Sequence, residues 1–243
     1  MSSSFTIVRL LPGLLGLNGS AANAEIVARS LRELGHTVRI IDVENPSEVD
    51  TTVDLVCVGS GSGSQLRPAA TQLLALASNL QEWKRKGAWF CAVGSGWDLL
   101  GHHVTLAEGE TIPGAGIFPS SADLTTARFS GEVCGVDHRG RPSAGYINQV
   151  GTATLDEGVE PLLHIQRGAQ GRSRTDGLIA PGLMATRLGG PALALNPHWT
   201  DGIVSALLAS RKQSFEPQDF HRRVASAATH ARGKIEQRLA TTT

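Results

Sequence analysis

No block of charge of one sign runs through this chain. Lys plus Arg and Asp plus Glu both number 22, so the formal net charge is zero. Without a basic or acidic tract, the usual means of non-specific binding to nucleic acid or a membrane surface is missing. No apolar stretch approaches the ~18 residues of a transmembrane helix. Cysteine is scarce: Cys57, Cys91 and Cys134 are odd in number, widely spaced, and form no CxxC or His pairing. That pattern speaks for a reduced, cytoplasmic protein with no metal site and no cofactor. Cys57 and Cys91 lie inside apolar runs and read as small core residues. Leu10 to Leu17 is apolar and Ala22-Asn23-Ala24 has the small-residue pattern of a signal-peptidase site. Pro12-Gly13 breaks that run, however, and Arg9 alone would serve as its basic flank, so a signal peptide is not expected. No repeat, low-complexity tract or long linker divides the 243 residues, 41% of them hydrophobic. A single domain over residues 1–243, with C-terminal helices at about 199–239, is the expected organisation.

What is present is a regular alternation of strand and helix signals. Thr6 to Leu11 reads as a strand stopped by Pro12-Gly13. Asn18-Gly-Ser20 offers caps for a helix carrying Ala24, Val27, Leu31 and Leu34 on one face, and Gly35 ends it. Thr37–Val43 and Leu55–Val58 are further strands, the second apolar throughout, as a buried parallel strand should be. After the glycine-serine loop Gly59–Ser64, one long helix is expected from about Ala69 to Lys86, with Leu73, Leu76, Leu80 and Trp83 in register. Trp89–Val93 is a fourth buried strand, and Gly94-Ser-Gly-Trp-Asp-Leu-Leu100 turns sharply into a helix. The stretch from His102 to Ala185 is richer in turns and short strands, such as Gly145–Asn148 and Leu162–Ile165. Arg167 to Thr175 reads as a mobile loop. Helices at Trp199–Arg211 and Pro217–Leu239 close the chain. The alternation predicts a mostly parallel, doubly wound α/β sheet whose working edge lies where strands end at Gly59 and Gly94.

The glycine loop could cradle a phosphate on successive N–H groups. It lacks the Lys-Ser/Thr of a P-loop and the GxGxxG spacing, so a tight structural turn is the simpler reading. Two other segments are more informative. Ala92-Val-Gly-Ser-Gly-Trp-Asp-Leu-Leu-Gly101 resembles the nucleophile elbow of class I glutamine amidotransferases. In the cobyric-acid-synthase-like branch that elbow reads Cys-Gly-Gly-Tyr-Gln-Leu-Leu-Gly. Thr186-Arg-Leu-Gly-Gly-Pro191, followed by Asn196-Pro197, resembles a Gly-Thr-Tyr-Leu-His-Gly-Pro segment. From Thr6 to about Arg211 the chain resembles more specifically the glutaminase subunit (GatD) family of lipid II isoglutaminyl synthase. Gly59-Ser60-Gly61 matches that family's Gly-Gly-Gly loop, and Ile112–Ile117 its Gly-x-Gly-Ile element. Gly145-Tyr-Ile-Asn148 is similar to a Gly-Phe-Glu-Asn-His-Gly-Gly stretch, with Ile147 and Gln149 in place of the acidic and histidine residues.

The resemblance implies a three-layer, flavodoxin-like, class I glutamine amidotransferase-like fold. It also places Gly94 where the family keeps its nucleophilic cysteine and Gly189 where it keeps its general-base histidine. Glutamine hydrolysis needs a thiolate to form a thioester and an imidazole to move protons to the leaving ammonia. Glycine supplies neither. No catalytic residue is therefore expected to be intact, and Arg128 with Gly59, Ser60 and Gly61 remains as the implied substrate-binding set. Cys91, inside its strand, should point into the core. Ser95 is one residue past the elbow and outside GxSxG spacing. His102 and His103 read as surface or core-edge histidines. Three functions follow from the resemblance: a silent subunit beside a Mur-ligase-like partner of the MurT type in peptidoglycan stem-peptide amidation; a sensor binding glutamine or a related amino acid; and a hydrolase using Ser95. In the last helix, Phe220, Val224, Ala227, Ala231, Ile235 and Leu239 form an apolar stripe. It either packs on the parent domain or supports the partner surface.

Overall fold

The computed structural model describes residues 2–45, 52–169 and 173–241. Its central sheet uses β1 (Ser4–Leu10), β2 (Thr37–Val43), β3 (Leu55–Val58), β4 (Trp89–Val93), β13 (Leu178–Ala180) and β14 (Leu183–Thr186). They run in the order β13-β14-β4-β3-β1-β2. Every pairing is parallel except that of β13 with β14. Period-two alternation explains why the strands are apolar throughout. Phe5, Ile7, Leu55, Cys57 and Cys91 face one core; Val8, Leu10, Val56, Val58, Phe90 and Ala92 face the other. On the first side lie α2 (Ala22–Glu33) and α7 (Pro197–Ala209), contributing Val27, Leu31, Ile203 and Leu207. On the second lie α3 (Gly63–Ala75), α4 (Ala77–Arg85) and α5 (Ser95–Leu100), with Leu73, Leu80, Trp83 and Leu99. Each fully buried Leu or Phe contributes about 2 kcal/mol relative to exposure.

Between β4 and β13 the chain builds two smaller sheets. One joins β5 (His103–Thr105), β6 (Thr111–Pro113), β7 (Ser120–Asp123) and β10 (Thr152–Leu155). The other joins β8 (Phe129–Asp137), β9 (Pro142–Gln149), β11 (Leu163–Arg167) and β12 (Thr175–Asp176). The long β8–β9 hairpin carries Ile147 back to a bridge with Leu188, just beyond β14. That bridge brings hairpin and central sheet together at the working edge.

Several expectations change. The helix expected from Ala69 to Lys86 is two helices meeting at Leu76, and the first starts earlier, at Gly63. A reciprocal capping box between Ser62 and Gln65 draws part of the glycine-serine loop into that first turn. Ser20 does not cap α2: the Ala21 cap position has no side-chain bond, and the buried Ser20 hydroxyl donates instead to the Leu15 carbonyl at 3.4 Å. The loop expected over Arg167–Thr175 falls partly on residues 170–172, outside the described residues; at its ends Arg167 closes β11 and Thr175 begins β12.

The final helix, α8 (Asp219–Thr241), packs on β8, β9, α6 (Ala192–Leu195) and α7. Its inward face is His221, Ala228 and Ile235; Ala227 and Ala231, expected in the stripe, are exposed. Polar anchors explain the rotated register. The His221 imidazole pairs with the Ser30 hydroxyl at 2.7 Å, and Arg232 donates to the Leu195 carbonyl at 2.7 Å. Arg238 forms an ion pair with Glu132. The face that packs on the domain is thus rotated from the expected stripe, of which Ile235 alone is fully buried.

Candidate functional site

At the carboxyl end of β4 the chain enters Gly94 with φ 56° and ψ −131°, then turns at once into α5. An L side chain is strained at such a φ, and glycine is not. The turn is pinned from both sides. The Gly94 N–H donates to the Thr186 carbonyl at 2.9 Å, and the Gly96 N–H to the Gly59 carbonyl at 3.0 Å. A Cβ on Gly96 would lie 2.2 Å from that same carbonyl, so the residue must be glycine for the 59–61 loop to approach the elbow.

Gly94 and Gly189, far apart in sequence, line one cavity of about 270 Å³. Ser60, Asn148, Gln149, Tyr146, Asn18 and Leu17 are among its other walls. Among the described residues, no thiol, imidazole or charged side chain lines it. The two glycines differ in kind. A Cβ on Gly189 would meet only the Tyr146 carbonyl, at an ordinary 3.5 Å. A Cβ on Gly94 would lie 2.4 Å from Gln149 Nε2 and 2.5 Å from Ser60 Oγ. The space of a side chain at 94 is thus already taken by its neighbours.

A hydrogen-bonded cluster closes over that position. Gln149 Nε2 donates to Ser60 Oγ at 3.2 Å. The Ser95 N–H donates to Ser60 Oγ at 3.4 Å, and the two hydroxyls stand 3.3 Å apart. The Gly61 N–H donates to Ser95 Oγ at 2.8 Å. The Ser95 and Gly61 N–H groups are therefore engaged within the chain, whereas stabilising an oxyanion requires donors free and aimed at the substrate oxygen. Ser95 itself is buried and joins the two loops. Of the histidines weighed beside the elbow, His102 pairs with Asp156 at 2.8 Å and His103 meets Ser121 Oγ at 3.2 Å, both exposed. Cys91 is buried in the core beside Cys57, its register partner across β3 and β4. Hydrogen bonding to Cys91 and burial push the Cys57 thiol well above its ordinary range.

Arg128 is exposed and reaches the cavity indirectly. Its Nη1 donates to Asn148 Oδ1 at 2.9 Å, and Asn148 lines the wall. The substrate arginine expected within the pocket therefore sits at its rim. Asn18, held at φ 58°, and Leu17 and Tyr146, 42% and 46% exposed, form part of the mouth. Sequence reasoning missed these mouth residues. It noted Gln149 only as a departure from a motif, and that departure was the available signal.

Behind the elbow lies an arrangement that sequence reasoning missed entirely. Arg187 Nη2 donates to Asp98 Oδ1 at 2.7 Å, with both side chains buried. Its Nη1 donates to the carbonyls of Val150 and Gly151 at 3.0 and 3.1 Å. Its guanidinium lies 5.6 Å from the Trp97 ring centroid. The backbone N–H of Arg187 donates to both oxygens of buried Asp176 at 3.1 Å, and Thr186 Oγ1 donates to Asp176 Oδ2 at 2.5 Å. Burial raises the Asp98 carboxyl, opposed chiefly by the Arg187 charge. Burial likewise raises Asp176, opposed by its bonds from Thr186 and Arg187. Among the described residues, no group of three His, Cys, Asp or Glu is placed to hold a metal.

A central parallel sheet, an elbow at its carboxyl edge and a cavity between that elbow and the β14 exit define the class I glutamine amidotransferase fold. A glutamine amidotransferase structure aligns at TM-score 0.51 and 15% identity, covering 81% of this chain and 98% of that one. PurLQS from Thermotoga maritima aligns at 0.53 and 14%, covering 86% and 97%. The model of the CobB/CobQ-like glutamine amidotransferase domain matches residues 28–196, and the chain belongs to that family. It is similar to subunit GatD of the glutamine-hydrolysing lipid II isoglutaminyl synthase of Staphylococcus aureus (strain N315), with 20% identity over 216 residues, 88% of this chain and 89% of that protein. Cobyric acid synthase of Pelotomaculum thermopropionicum is 30% identical over 156 residues, 56% of this chain; the match spans only 26% of that longer protein.

Proposed function

We propose that this chain is a catalytically silent glutaminase-like subunit acting beside a Mur-ligase-like partner of the MurT type in peptidoglycan stem-peptide amidation. The observation that carries the reading is the one cavity lined by both Gly94 and Gly189, with no thiol or imidazole from the described residues in its walls. Loss of the nucleophile alone in a comparable catalytic unit costs about 10⁶-fold in turnover. Here the base position is glycine as well. Similarity to GatD, a subunit of lipid II isoglutaminyl synthase, supports the pathway and a companion subunit.

The cavity mouth supports the partner's location. Leu17 and Tyr146 are two of the three exposed large apolar side chains among the described residues, and both flank it. Exposed apolar groups gathered around one opening suit coverage by another protein. The α8 face that packs on the domain is not that surface. Walls of Asn148, Gln149, Asn18 and Ser60 also favour a second role, retention of a neutral amide-bearing amino acid such as glutamine without turnover. A hydrolase working through Ser95 has no comparable support, since its hydroxyl is engaged by Ser60 and Gly61.

The test is ammonia release from glutamine by the purified chain, alone and with whatever ligase co-purifies from its native cell. A Mur-ligase-like protein in near-stoichiometric amount and no ammonia above buffer are expected. Turnover within roughly tenfold of an ordinary kcat of about 10 s⁻¹ would overturn the silent reading.

A further inference from the structure

A second cavity of about 90 Å³ lies behind the elbow, and Gln149 borders both spaces. Phe129, Val133, Ile147 and Ile165 give it an apolar wall; Arg187 and Asp176 give it a polar one. Arg187 is 7% exposed, and its Nε–H is buried with no partner among the described residues. A buried donor left unmatched is costly, and the remaining guanidinium nitrogens are already committed. One water needs only about 10–15 Å³, so the space admits a small organic molecule.

The chemistry narrows the occupant. Asp98 already forms an ion pair with the guanidinium, and a second buried acid, Asp176, accepts from the Arg187 backbone N–H. The guanidinium charge is thus already matched, so an added anion would be buried without a cation of its own, whereas a neutral acceptor would not. We infer that this second cavity binds a small neutral carbonyl compound, its oxygen accepting the Arg187 Nε–H and its short apolar body lying against Phe129, Val133, Ile147 and Ile165. The inference stands independently of whether the front cavity is silent.

The experiment uses the full chain with three probes of similar size: isobutyramide, cyclopentanone and isobutyrate. Thermal shift and the NMR resonance of the Arg187 Nε–H are read together. The neutral probes should raise Tm and move that resonance, and isobutyrate should bind at least roughly tenfold more weakly. Arg187→Lys, which keeps charge beside Asp98 but lacks the donor, should abolish the neutral probes' effect. Ala153→Leu, a half-buried lining position, fills the cavity and should do the same in a chain whose circular dichroism is unchanged. Three results would each overturn the inference: no response from any probe, isobutyrate binding as well as isobutyramide, or binding unchanged in folded Ala153→Leu. Binding lost only with mutations around Gly94 would place the probes in the front cavity and overturn it equally.

Discussion

The two sides of the elbow helix are built in opposite ways. On the front, Gly94 and Gly189 present hydrogen atoms to a polar cavity, and neighbouring hydroxyls and an amide bond to one another. On the back, Asp98, Arg187 and Asp176 form a buried charged cluster with Trp97 against the guanidinium. The front offers glycine hydrogens and neutral polar groups, whereas the back holds buried charges that must be paired, so the back makes the greater structural demand on the elbow.

Substitutions can break or sharpen that contrast. The largest effect is expected at Arg187. Changing Arg187→Met leaves Asp98 buried without its cation, which should cost about 3–5 kcal/mol in urea unfolding. The double change with Asp98→Leu should recover much of that loss, because it removes the stranded charge as well. A single-mutant cost below about 1 kcal/mol would mean that the back cluster is ornamental. Next comes Gly94→Ala, with strain at positive φ and close approach to Gln149 and Ser60. A loss of about 1–3 kcal/mol is expected. Gly189→Ala, with open space and ordinary φ, should change stability by less than about 0.5 kcal/mol. Equal costs at the two glycines would erase the asymmetry between them.

Smaller still is Arg128→Ala. The side chain is exposed and bonded to Asn148, so stability should stay within about 0.5 kcal/mol. Glutamine binding, followed by titration calorimetry, should weaken as Asn148 loses its anchor. Unchanged binding would separate Arg128 from the front cavity.

A pH effect away from the elbow offers a control. Burial raises Asp201 to about 6, opposed by Arg141, and burial lowers His198 to about 4, reinforced by Arg141 and opposed by Asp137. Between the ordinary carboxyl value and pH 6 the folded state holds the Asp201 proton more tightly, so that group's contribution to stability falls as pH rises. Between pH 4 and 6.5 the unfolded state holds the His198 proton more tightly, so its contribution grows. The two oppose each other. Asp201→Asn should therefore steepen the rise of Tm from pH 4 to 6, and a flat profile in that variant would contradict the His198 assignment.

The central sheet was legible because β3 and β4 are short apolar runs bounded by glycine, with burial on both faces. The division of the helix at Leu76 was not, because the apolar spacing runs straight through it while the start is set by Ser62 and Gln65. The motifs located Gly94 and Gly189, and backbone topology then brought them to one cavity. Asp98 and Arg187 escaped notice because they lie 89 residues apart and each is an unremarkable charge in its own segment. Tertiary pairing alone distinguishes them from surface residues. In α8 the periodicity was visible, but Ser30 and Leu195, which set its rotation through His221 and Arg232, belong to distant elements.

The crowding around Gly94 bears on how the elbow could be re-equipped. A cysteine introduced there would place its first carbon against Ser60 and Gln149. The Gln149 amide is the end of a flexible side chain and can swing aside, but Ser60 meets Ser95 across the two loops. Room for a thiol would therefore come from loosening the contact that joins those loops, so fitting a nucleophile and holding the loops together pull against each other.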